Sequence, residues 1–358
     1  MQLKVLHLAA ANRWTGAAAP AFVEVEALRG VGIDAHYAYV GGYRLEDKIG
    51  HHDFAHAAID QAQNPFAFMR SLRALRGLVS RIGFDIVHSH LTYDHWLADT
   101  LARRHGMRCI RTIHARRVMR RDPLSRYLFS RADTFCVINA SFQNDPALSG
   151  HPVVFTPPPL DTRQFNPEGP DVRSTYGIEP DATLMTVIGK VTPGRGFEEA
   201  LQTFALARHK VPRARMMIIG RGPLRPQLEA LAASLGIAEL VTFAGYHEDD
   251  LAEHYRASDL LMFTAPGSDE GHRAVTEAMG CGVPPVTFPF EGMEALVPAR
   301  LIASDGTPEA LAETIAATVC GDLAGLSREV ARLALAFDYD ASAARLRQLY
   351  DEAMRHPA

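Results

Sequence analysis

The most constraining feature of this 358-residue chain is a rhythm of short apolar runs and amphipathic segments that occurs twice. Runs such as KVLHLAA, at 4–10, and LMTVIG, at 184–189, are bounded by glycine or polar turns. Helical periodicity follows each run, as in FEEALQTFALAR at 197–208. Buried strands that alternate with helices are typical of parallel sheets. The sequence therefore predicts an α/β protein with two doubly wound, Rossmann-like domains in tandem.

A stretch rich in proline and charge, at 157–181, separates the two halves and is typical of a linker. We place an N-terminal, acceptor-binding domain at 1–162 and a C-terminal, nucleotide-binding domain at 163–340. The last segment, 341–358, is predicted as a helix that packs back toward the N-terminal domain. Because doubly wound sheets bind ligands beyond the carboxyl ends of their strands, we expect the two sheets to face a cleft between the domains.

Composition argues against several classes of protein. The formal net charge of −4 does not suit a general nucleic-acid-binding protein, which needs a basic face. No apolar run reaches the roughly 18 residues of a membrane-spanning helix, and the N-terminus lacks the pattern of a signal peptide. The four cysteines form no CxxC pair and are expected as buried thiols in a reducing cytoplasm.

Three loops of the second half carry glycines and charges directly after a predicted strand. The first is GKVTPGRG, at 189–196, in which glycines bracket Lys190 and Arg195 before a helix. The others are GRGP at 220–223 and GSDEGH at 267–272. Glycines let a backbone approach a phosphate, helix N-termini favour anions, and cations add charge-assisted hydrogen bonds. One such loop is most often an ordinary turn, but three in one half favour a bound diphosphate.

Common nucleotide and metal motifs do not match this chain. GKVTPGRG lacks the GxxxxGK[ST] pattern, and no GxGxxG follows the first strand, which weakens the ATPase and dehydrogenase interpretations. The sequence contains no HExxH and no paired Cys/His ligands. HEDD, at 247–250, is better explained as a helix N-terminus than as a metal site. We therefore expect no metal and no other cofactor.

Polar residues also end strands in the first half. His88 and His90 end one predicted strand, and His88 is best explained as a buried core residue. His114 ends another strand and opens onto ARRVMRR, at 115–121. This basic loop is either a solvated loop or a contact for an anionic acceptor or an anionic membrane surface. Asp94, at the start of a helix, is either a cap or a contact for acceptor hydroxyls.

Together these motifs resemble the family-4 retaining glycosyltransferases, which have the two-domain GT-B fold. GSDEGHRAVTEAMGCGVPPV, at 267–286, is similar to the family motif of two acids separated by seven residues, here Asp269 and Glu277. A shift of one residue would make Glu270 the first acid. GKVTPGRG resembles the family's G-R-x-x-x-x-K-G with the two cations exchanged. DIVHSH, RTIHA and VVFTPPPLD resemble acceptor-domain strands, so that the resemblance covers nearly the whole chain.

The resemblance implies a role for each matching position. Lys190 and Arg195 would bind the diphosphate and stabilise the leaving group. Glu277 would hold the ribose hydroxyls, while Asp269 and His114 would lie beside the donor sugar. The other implied donor-binding residues are Thr15, Gly16, Gly189, Gly222, Glu270, Gly271, His272 and Arg273. The candidate acceptor-binding residues are Asp94, His95, Arg116 and Arg117.

The implied activity is metal-independent, retaining transfer of a hexose-type sugar from a nucleoside-diphosphate sugar, with uridine favoured and guanosine open. The expected acceptor is a saccharide or a lipid-linked molecule of cell-envelope polysaccharide or lipopolysaccharide synthesis. We expect the protein in the cytoplasm, with a peripheral contact to the anionic inner membrane as an option. Two alternatives are a nucleotide-sugar 2-epimerase, which shares the GT-B architecture, and a non-catalytic sugar-nucleotide-binding protein.

Overall fold

The computed structural model describes residues 2–14, 16–62, 64–264 and 272–355. The chain divides into two compact units. Unit 1 comprises Met1–Pro159 and Tyr339–Ala358, and unit 2 comprises Leu160–Asp338. The boundaries predicted from sequence lie at 162/163 and 340/341.

Unit 1 is built on a seven-stranded sheet with the order β3-β2-β1-β4-β5-β6-β7, in which all neighbouring strands are parallel. Its strands are β1 (Lys4–Ala9), β2 (Asp34–Val40), β3 (Ala55–Ile59), β4 (Ile86–Ser89), β5 (Arg108–Ile113), β6 (Thr134–Val137) and β7 (Val153–Phe155). Its helices are α1 (Ala18–Gly30), α2 (Arg44–Ile49), α3 (Pro65–Ile82), α4 (Thr92–His105), α5 (Pro123–Phe129) and α12 (Tyr339–Arg355).

The last helix of the chain completes the core of unit 1. Leu346, Leu349 and Tyr350 of α12 are buried in the same apolar cluster as Phe22 of α1 and Tyr37 of β2. A second cluster, formed with α3 and α4, covers the other face of the sheet. Burial on both faces explains why the central strands of this sheet are almost continuously apolar in sequence.

Unit 2 is built on a five-stranded parallel sheet with the order β10-β9-β8-β11-β12. Its strands are β8 (Thr183–Ile188), β9 (Ala214–Ile219), β10 (Val241–Gly245), β11 (Leu260–Phe263) and β12 (Pro285–Thr287). Its helices are α6 (Phe197–Ala207), α7 (Arg225–Ser234), α8 (Leu251–Ala257), α9 (Arg273–Gly280), α10 (Pro308–Cys320) and α11 (Leu323–Ala334).

The proline-rich stretch predicted as a linker belongs to unit 2 for most of its length. Phe165, Val172 and Ile178 are buried there. Arg173 Nη2 donates to Asp259 Oδ2 at 2.6 Å and ties the stretch to the start of β11. Apolar anchors and several ion pairs, among them Arg173–Asp259 and Arg215–Glu179, therefore dock a segment whose average composition is typical of a linker.

One of the four cysteines is exposed, contrary to the expectation from the sequence. Cys320, the last residue of α10, is exposed, whereas the other three cysteines are buried as predicted. The prediction of four buried thiols is therefore wrong at this position.

Within the described ranges no single helix is long and apolar enough to cross a membrane. Two consecutive helical segments, Pro308–Cys320 and Leu323–Phe337, are together long and apolar enough, but they are bent by 105° relative to each other.

Candidate active site

At the carboxyl edge of the sheet in unit 2, the loops that follow β8 and β9 are bound to each other through their main chains. Gly189 N donates to Ile219 O at 3.0 Å, and Val191 N donates to Arg221 O at 3.1 Å. These bonds fix the loop 189–196 beyond the strand ends, where parallel sheets bind their ligands.

Three glycines of these loops are required by close packing of the main chain. A Cβ atom at Gly220 would lie 1.8 Å from Gly189 O, and one at Gly222 would lie 1.9 Å from another main-chain oxygen. At Gly196, where φ is +71°, a Cβ would lie 2.0 Å from Thr264 O. Loop packing thus accounts for these glycines without a phosphate. The predicted donor contact of Gly222 stays a prediction that rests on the resemblance.

Replacing Gly220 with alanine is expected to destabilise unit 2 by about 3 kcal/mol, because the added Cβ meets a main-chain oxygen that has no side-chain freedom to yield. Gly306→Ala is the matched control, since a Cβ at Gly306 has no neighbour within 4 Å. Urea unfolding monitored by circular dichroism compares the two variants. Equal stability of both would contradict the packing explanation.

The loop 189–196 leads directly into α6 and supplies positive charge there. Lys190 is exposed and Arg195 is half-buried. Gly196, the N-cap of α6, has no side chain with which to cap the first turn. Glu198 and Glu199 in that turn already complement the helix dipole. We infer that the two cations, more than the helix dipole, make this edge of the sheet attractive to an anion.

Glu277 of α9 is held in a fixed orientation. Its residue is only 7% exposed. Its Oε2 accepts a hydrogen bond from Tyr255 Oη at 3.2 Å, and its Oε1 lies 3.2 Å from Arg273 Nε, one turn earlier on the helix. Burial, with the neighbouring carboxylate, raises the pKa of Tyr255 well above its ordinary value, so its hydroxyl remains a donor. Tyr255 was not selected from the sequence because it comes from α8.

The loop between β11 and α9 carries several predicted donor contacts. Asp269, Glu270 and Gly271 lie outside the described residues, as does Thr15 of unit 1. Their assignment stays a prediction. The other residues assigned from the sequence to the donor are placed: Gly16 is exposed just before α1, Gly189 is exposed after β8, and His272 is buried at the start of α9.

His272 has an uncommon backbone conformation. Its φ is +52° and its ψ is 41°, in the left-handed region that non-glycine residues rarely adopt. Such residues occur where the surrounding structure fixes them, often at ligand sites. The main chain therefore turns sharply at the point where the predicted sugar-binding loop meets α9.

In unit 1, His114 follows β5 at the carboxyl edge of the sheet. Its Nε2 lies 3.1 Å from His90 Nδ1. Burial and the nearby Arg111 lower the pKa of His114 to about 4, so the imidazole is neutral at neutral pH. A neutral imidazole can exchange a hydrogen bond with a sugar hydroxyl without adding charge. This position suits the predicted role of His114, and its contact with a sugar stays a prediction.

Asp94 and His95 are buried structural residues. Asp94 Oδ2 accepts from Ala10 N at 3.0 Å, and its Oδ1 accepts from Leu91 N at 2.7 Å. One ring nitrogen of His95 lies 3.0 Å from Leu128 O and the other lies 2.9 Å from a serine hydroxyl. Both residues are 0% exposed. The predicted acceptor contact of Asp94 and His95 disagrees with this placement, because their polar atoms are already bonded within unit 1.

Asp94→Ala is expected to lower the free energy of unfolding by about 3 kcal/mol, because two main-chain N–H groups lose their buried acceptor. Asp94→Asn, which keeps one acceptor oxygen, is expected to lose about half as much. Urea unfolding measures both values. A variant of wild-type stability that has lost only acceptor affinity would instead restore the acceptor-binding interpretation.

The arginines after His114 concentrate positive charge on unit 1. Arg116 Nη2 donates to Ser141 Oγ at 3.0 Å and its Nη1 lies 3.4 Å from Asp145 Oδ2, while Arg117 is exposed. The next arginines in the sequence, Arg120, Arg121 and Arg126, line part of a surface cavity of about 380 Å³. The predicted contact of this loop with an anionic partner thus keeps a physical basis, although no observation tests it.

A second cavity, of about 210 Å³, lies beyond the carboxyl ends of β1, β2 and β3 in unit 1. Its lining is mostly polar and comes from Ala10 and Asn12 after β1, Val40 at the end of β2, Asp60 and Gln61 after β3, and Tyr93 of α4. Hydroxyl-rich ligands suit such a lining. The sequence did not indicate Asn12, Asp60 or Gln61 as candidate ligand-binding residues, because they belong to no motif.

Two family models match this chain, one in each half. Glycosyltransferase Family 4 matches residues 21–164, and Glycosyl transferases group 1 matches residues 182–320. The first match covers most of the sheet of unit 1, and the second covers the whole sheet of unit 2.

This chain belongs to glycosyltransferase family 4. The predicted family is confirmed.

Among curated proteins, this family-4 chain is similar to the D-inositol 3-phosphate glycosyltransferase of Geodermatophilus obscurus, with 28% identity over 60% of this chain and 54% of the relative. It is also 30% identical, over 36% of either chain, to the GDP-mannose-dependent alpha-(1-6)-phosphatidylinositol monomannoside mannosyltransferase of Mycolicibacterium smegmatis. The chain spans about half the length, or less, of these and other first-ranked curated relatives.

Solved structures of the same fold cover nearly the whole chain. A glycosyltransferase from Rickettsia africae superposes with a TM-score of 0.84 at 14% identity, over 99% of this chain and all of the other. HepE from Anabaena, solved in complex with UDP, gives 0.78 at 15% identity, over 98% of this chain and all of the other. The predicted GT-B class, with two Rossmann-like domains, is confirmed.

The family-4 chain also contains a buried cluster that the sequence did not predict. His7 of β1, Glu24 of α1, and His88 and His90 at the end of β4 lie together and are at most 2% exposed. His88 is a satisfied core residue, as predicted, bonded to Tyr350 Oη and Thr112 Oγ1, each at 2.8 Å. The cluster joins β1, α1 and the end of β4, which are far apart in sequence, so no local spacing could have indicated it.

Proposed function

We propose that this chain transfers a sugar, with retention of configuration, from a nucleoside-diphosphate sugar to a saccharide or lipid-linked acceptor. The observation that carries this proposal is the arrangement of Glu277. Its carboxylate is buried, clamped by Tyr255 and Arg273, and located one turn into α9. A fixed carboxylate of this kind suits a pair of ribose hydroxyls, which donate two hydrogen bonds to one acceptor group.

Lys190 and Arg195 supply the charge that the reaction requires. In the transfer, the anomeric C–O bond breaks and its electron pair goes to the departing diphosphate. The acceptor oxygen forms the new bond to the anomeric carbon, and its proton goes to the departing phosphate oxygen. Cations placed where negative charge develops lower the barrier to this step. No metal is needed for it in the proposed mechanism.

We assign the neutral imidazole of His114 to the donor sugar, as the family resemblance implies. It would orient a sugar hydroxyl without repelling the oxocarbenium-like carbon, as a protonated imidazole would. The low pKa of this group keeps it in the required form throughout the physiological range.

The proposed acceptor carries a phosphate or another anionic group. The arginines that line the larger cavity of unit 1 offer bidentate donors for such a group. Two curated relatives are named for inositol phosphate and phosphatidylinositol mannoside acceptors, which points in the same direction. Acceptors of polysaccharide and lipopolysaccharide synthesis at the inner face of the cytoplasmic membrane stay within this class.

The base of the donor is proposed as uridine or guanosine. HepE is solved with UDP, and one relative is named as dependent on GDP-mannose. The uridine preference expected from the sequence therefore has support from one comparison, and guanosine has support from another.

The decisive experiment is thermal denaturation of the purified chain with a panel of UDP-, GDP- and ADP-sugars, without added metal. A ligand that binds only the folded state raises the melting temperature, and one nucleotide class is expected to do so. No shift with any donor at millimolar concentration would remove the main support for the proposal.

Turnover of the stabilising donor then separates the three candidate activities. A retaining transferase releases nucleoside diphosphate and forms a product with the anomeric configuration of the donor, which NMR measures. An epimerase converts the donor sugar without an acceptor, and a binding protein is stabilised without turnover.

A further inference from the structure

The buried cluster in unit 1 places two imidazole nitrogens and a carboxylate oxygen around one point. His7 Nδ1 and His90 Nε2 are 2.9 Å apart. Glu24 Oε2 lies 3.8 Å from His7 Nδ1 and 3.9 Å from His90 Nε2. A tetrahedral ion bound at about 2.0–2.2 Å from such ligands holds them about 3.4 Å apart. The observed triangle brackets this separation, so small side-chain rotations would complete a binding site.

Glu24 Oε2 has no hydrogen-bond partner among the described residues, although the residue is only 2% exposed. Buried polar atoms are nearly always bonded, and each exception requires an explanation. A buried carboxyl group without a partner is strongly unfavourable as a carboxylate unless it is protonated or a cation compensates it. This oxygen faces the two imidazole nitrogens, which are the atoms that a metal ion would share with it.

The hydrogen bonds behind the two imidazoles fit metal binding as well. If His7 binds through Nδ1 and His90 through Nε2, their protons must lie on the opposite nitrogens. His7 Nε2 is 2.9 Å from Tyr350 Oη, and His90 Nδ1 is 3.1 Å from His114 Nε2, so each proton has an acceptor. Ligating histidines in proteins almost always donate their second N–H in this manner.

The remaining bonds of the network follow from the same choice of tautomers. Tyr350 accepts from His7 and donates its own proton to His88 Nδ1 at 2.8 Å. His88 then donates from Nε2 to Thr112 Oγ1 at 2.8 Å. This assignment of protons satisfies each of these bonds from Thr112 to His114 except the contact between His7 Nδ1 and His90 Nε2, where the two lone pairs would face the ion.

We propose that His7, His90 and Glu24 bind a divalent ion of the Zn²⁺ class in the core of unit 1. Imidazole with carboxylate is a ligand set that zinc accepts readily. The ion would join β1, α1 and the end of β4 and would fix the histidine that supports His114. It is a structural site. This proposal departs from the sequence-based expectation of no metal, whereas the metal-independent transfer proposed above concerns the donor diphosphate.

A second cluster of possible ligands, in unit 2, carries no such inference. His247, Asp250 and His254 lie together at the start of α8. His247 Nδ1 is 2.8 Å from Asp250 Oδ2, and His254 Nδ1 is 3.0 Å from Asp250 O, so these nitrogens already have partners. This cluster supplies a control for the experiment.

The test is the metal content of the full chain after equilibration with Zn²⁺ and removal of loose ions with a chelator. We expect about one zinc per chain in the wild type and in His247→Gln, and about none in Glu24→Leu. Glu26→Gln, on the same helix, controls for the lost charge and is expected to keep the ion. Replacement of zinc by Co²⁺ should give the intense visible absorption of a tetrahedral nitrogen and oxygen site.

Thermal unfolding distinguishes a metal site from a metal-free cluster, because the melting temperature of Glu24→Leu is expected to change in opposite directions in the two cases. With a bound ion, Glu24→Leu loses stability, and its melting temperature no longer responds to zinc or chelator. Without an ion, replacing an unpartnered buried carboxyl by an apolar side chain leaves the melting temperature unchanged or raises it. Wild-type protein that retains less than about 0.1 zinc per chain after loading overturns the proposal, whether or not the variant folds.

Discussion

Replacement of Arg195 by alanine is expected to slow sugar transfer by about 10²–10³-fold while leaving the fold intact, because the departing diphosphate loses a donor at the moment its charge develops. Arg195 is half-buried in a loop fixed by main-chain bonds between the β8 and β9 ends, so its guanidinium starts from a restricted position. Arg195→Lys keeps the charge but loses the planar fork and should recover part of the rate. Release of nucleoside diphosphate at saturating donor measures kcat.

The matched control for this variant is Arg332→Ala, which removes an exposed arginine from α11 of the same unit. It should change neither kcat nor the melting temperature. A different result for Arg195→Ala would be informative as well. If KM rises while kcat is unchanged, the guanidinium contributes equally to ground and transition states, and its assigned role in leaving-group stabilisation is wrong.

The parallel sheets were predictable because strands buried on both faces have nearly continuous apolar sequences. LLMF of β11, with all four residues buried, is the clearest example. β3, Ala55–Ile59, was missed because it lies at the edge of its sheet and is mostly half-buried. The short helices α2 and α5, of six and seven residues, were missed because each spans less than two full turns, too few for a helical period to be recognised in the sequence.

Candidate donor residues could be selected from the sequence only where one motif contains them. Lys190 and Arg195 lie in one loop, and Glu277, the second acid of the motif, lies on α9. The sequence left Asp94 open as a cap or an acceptor contact. Its partner Ala10 N is 84 residues away, so only the structure shows that the carboxylate is used within unit 1. For the same reason the role of Tyr255 beside Glu277 could not be foreseen, because nothing in α8 indicates which helix it contacts.

Replacement of Glu277 by alanine is expected to abolish the nucleotide-dependent rise in melting temperature. Hydrogen bonds to a charged group contribute about 1.5–3 kcal/mol each, so the loss of two ribose contacts should weaken donor binding by about 10²–10⁴-fold. The same change leaves Tyr255 Oη and Arg273 without their shared acceptor and should lower the stability of unliganded protein by about 1–3 kcal/mol. Both quantities come from melting curves with and without the donor.

Two further variants separate the ribose contact from the structural role of Glu277. Glu277→Gln keeps the volume and an oxygen for Tyr255, so it should restore most of the stability but little of the donor binding. Glu229→Gln, an exposed acid on α7, removes the same charge and should alter neither. If Glu277→Gln binds the donor as the wild type does, the carboxylate serves only to clamp Tyr255 and Arg273, and the nucleotide must be held by other residues of this edge.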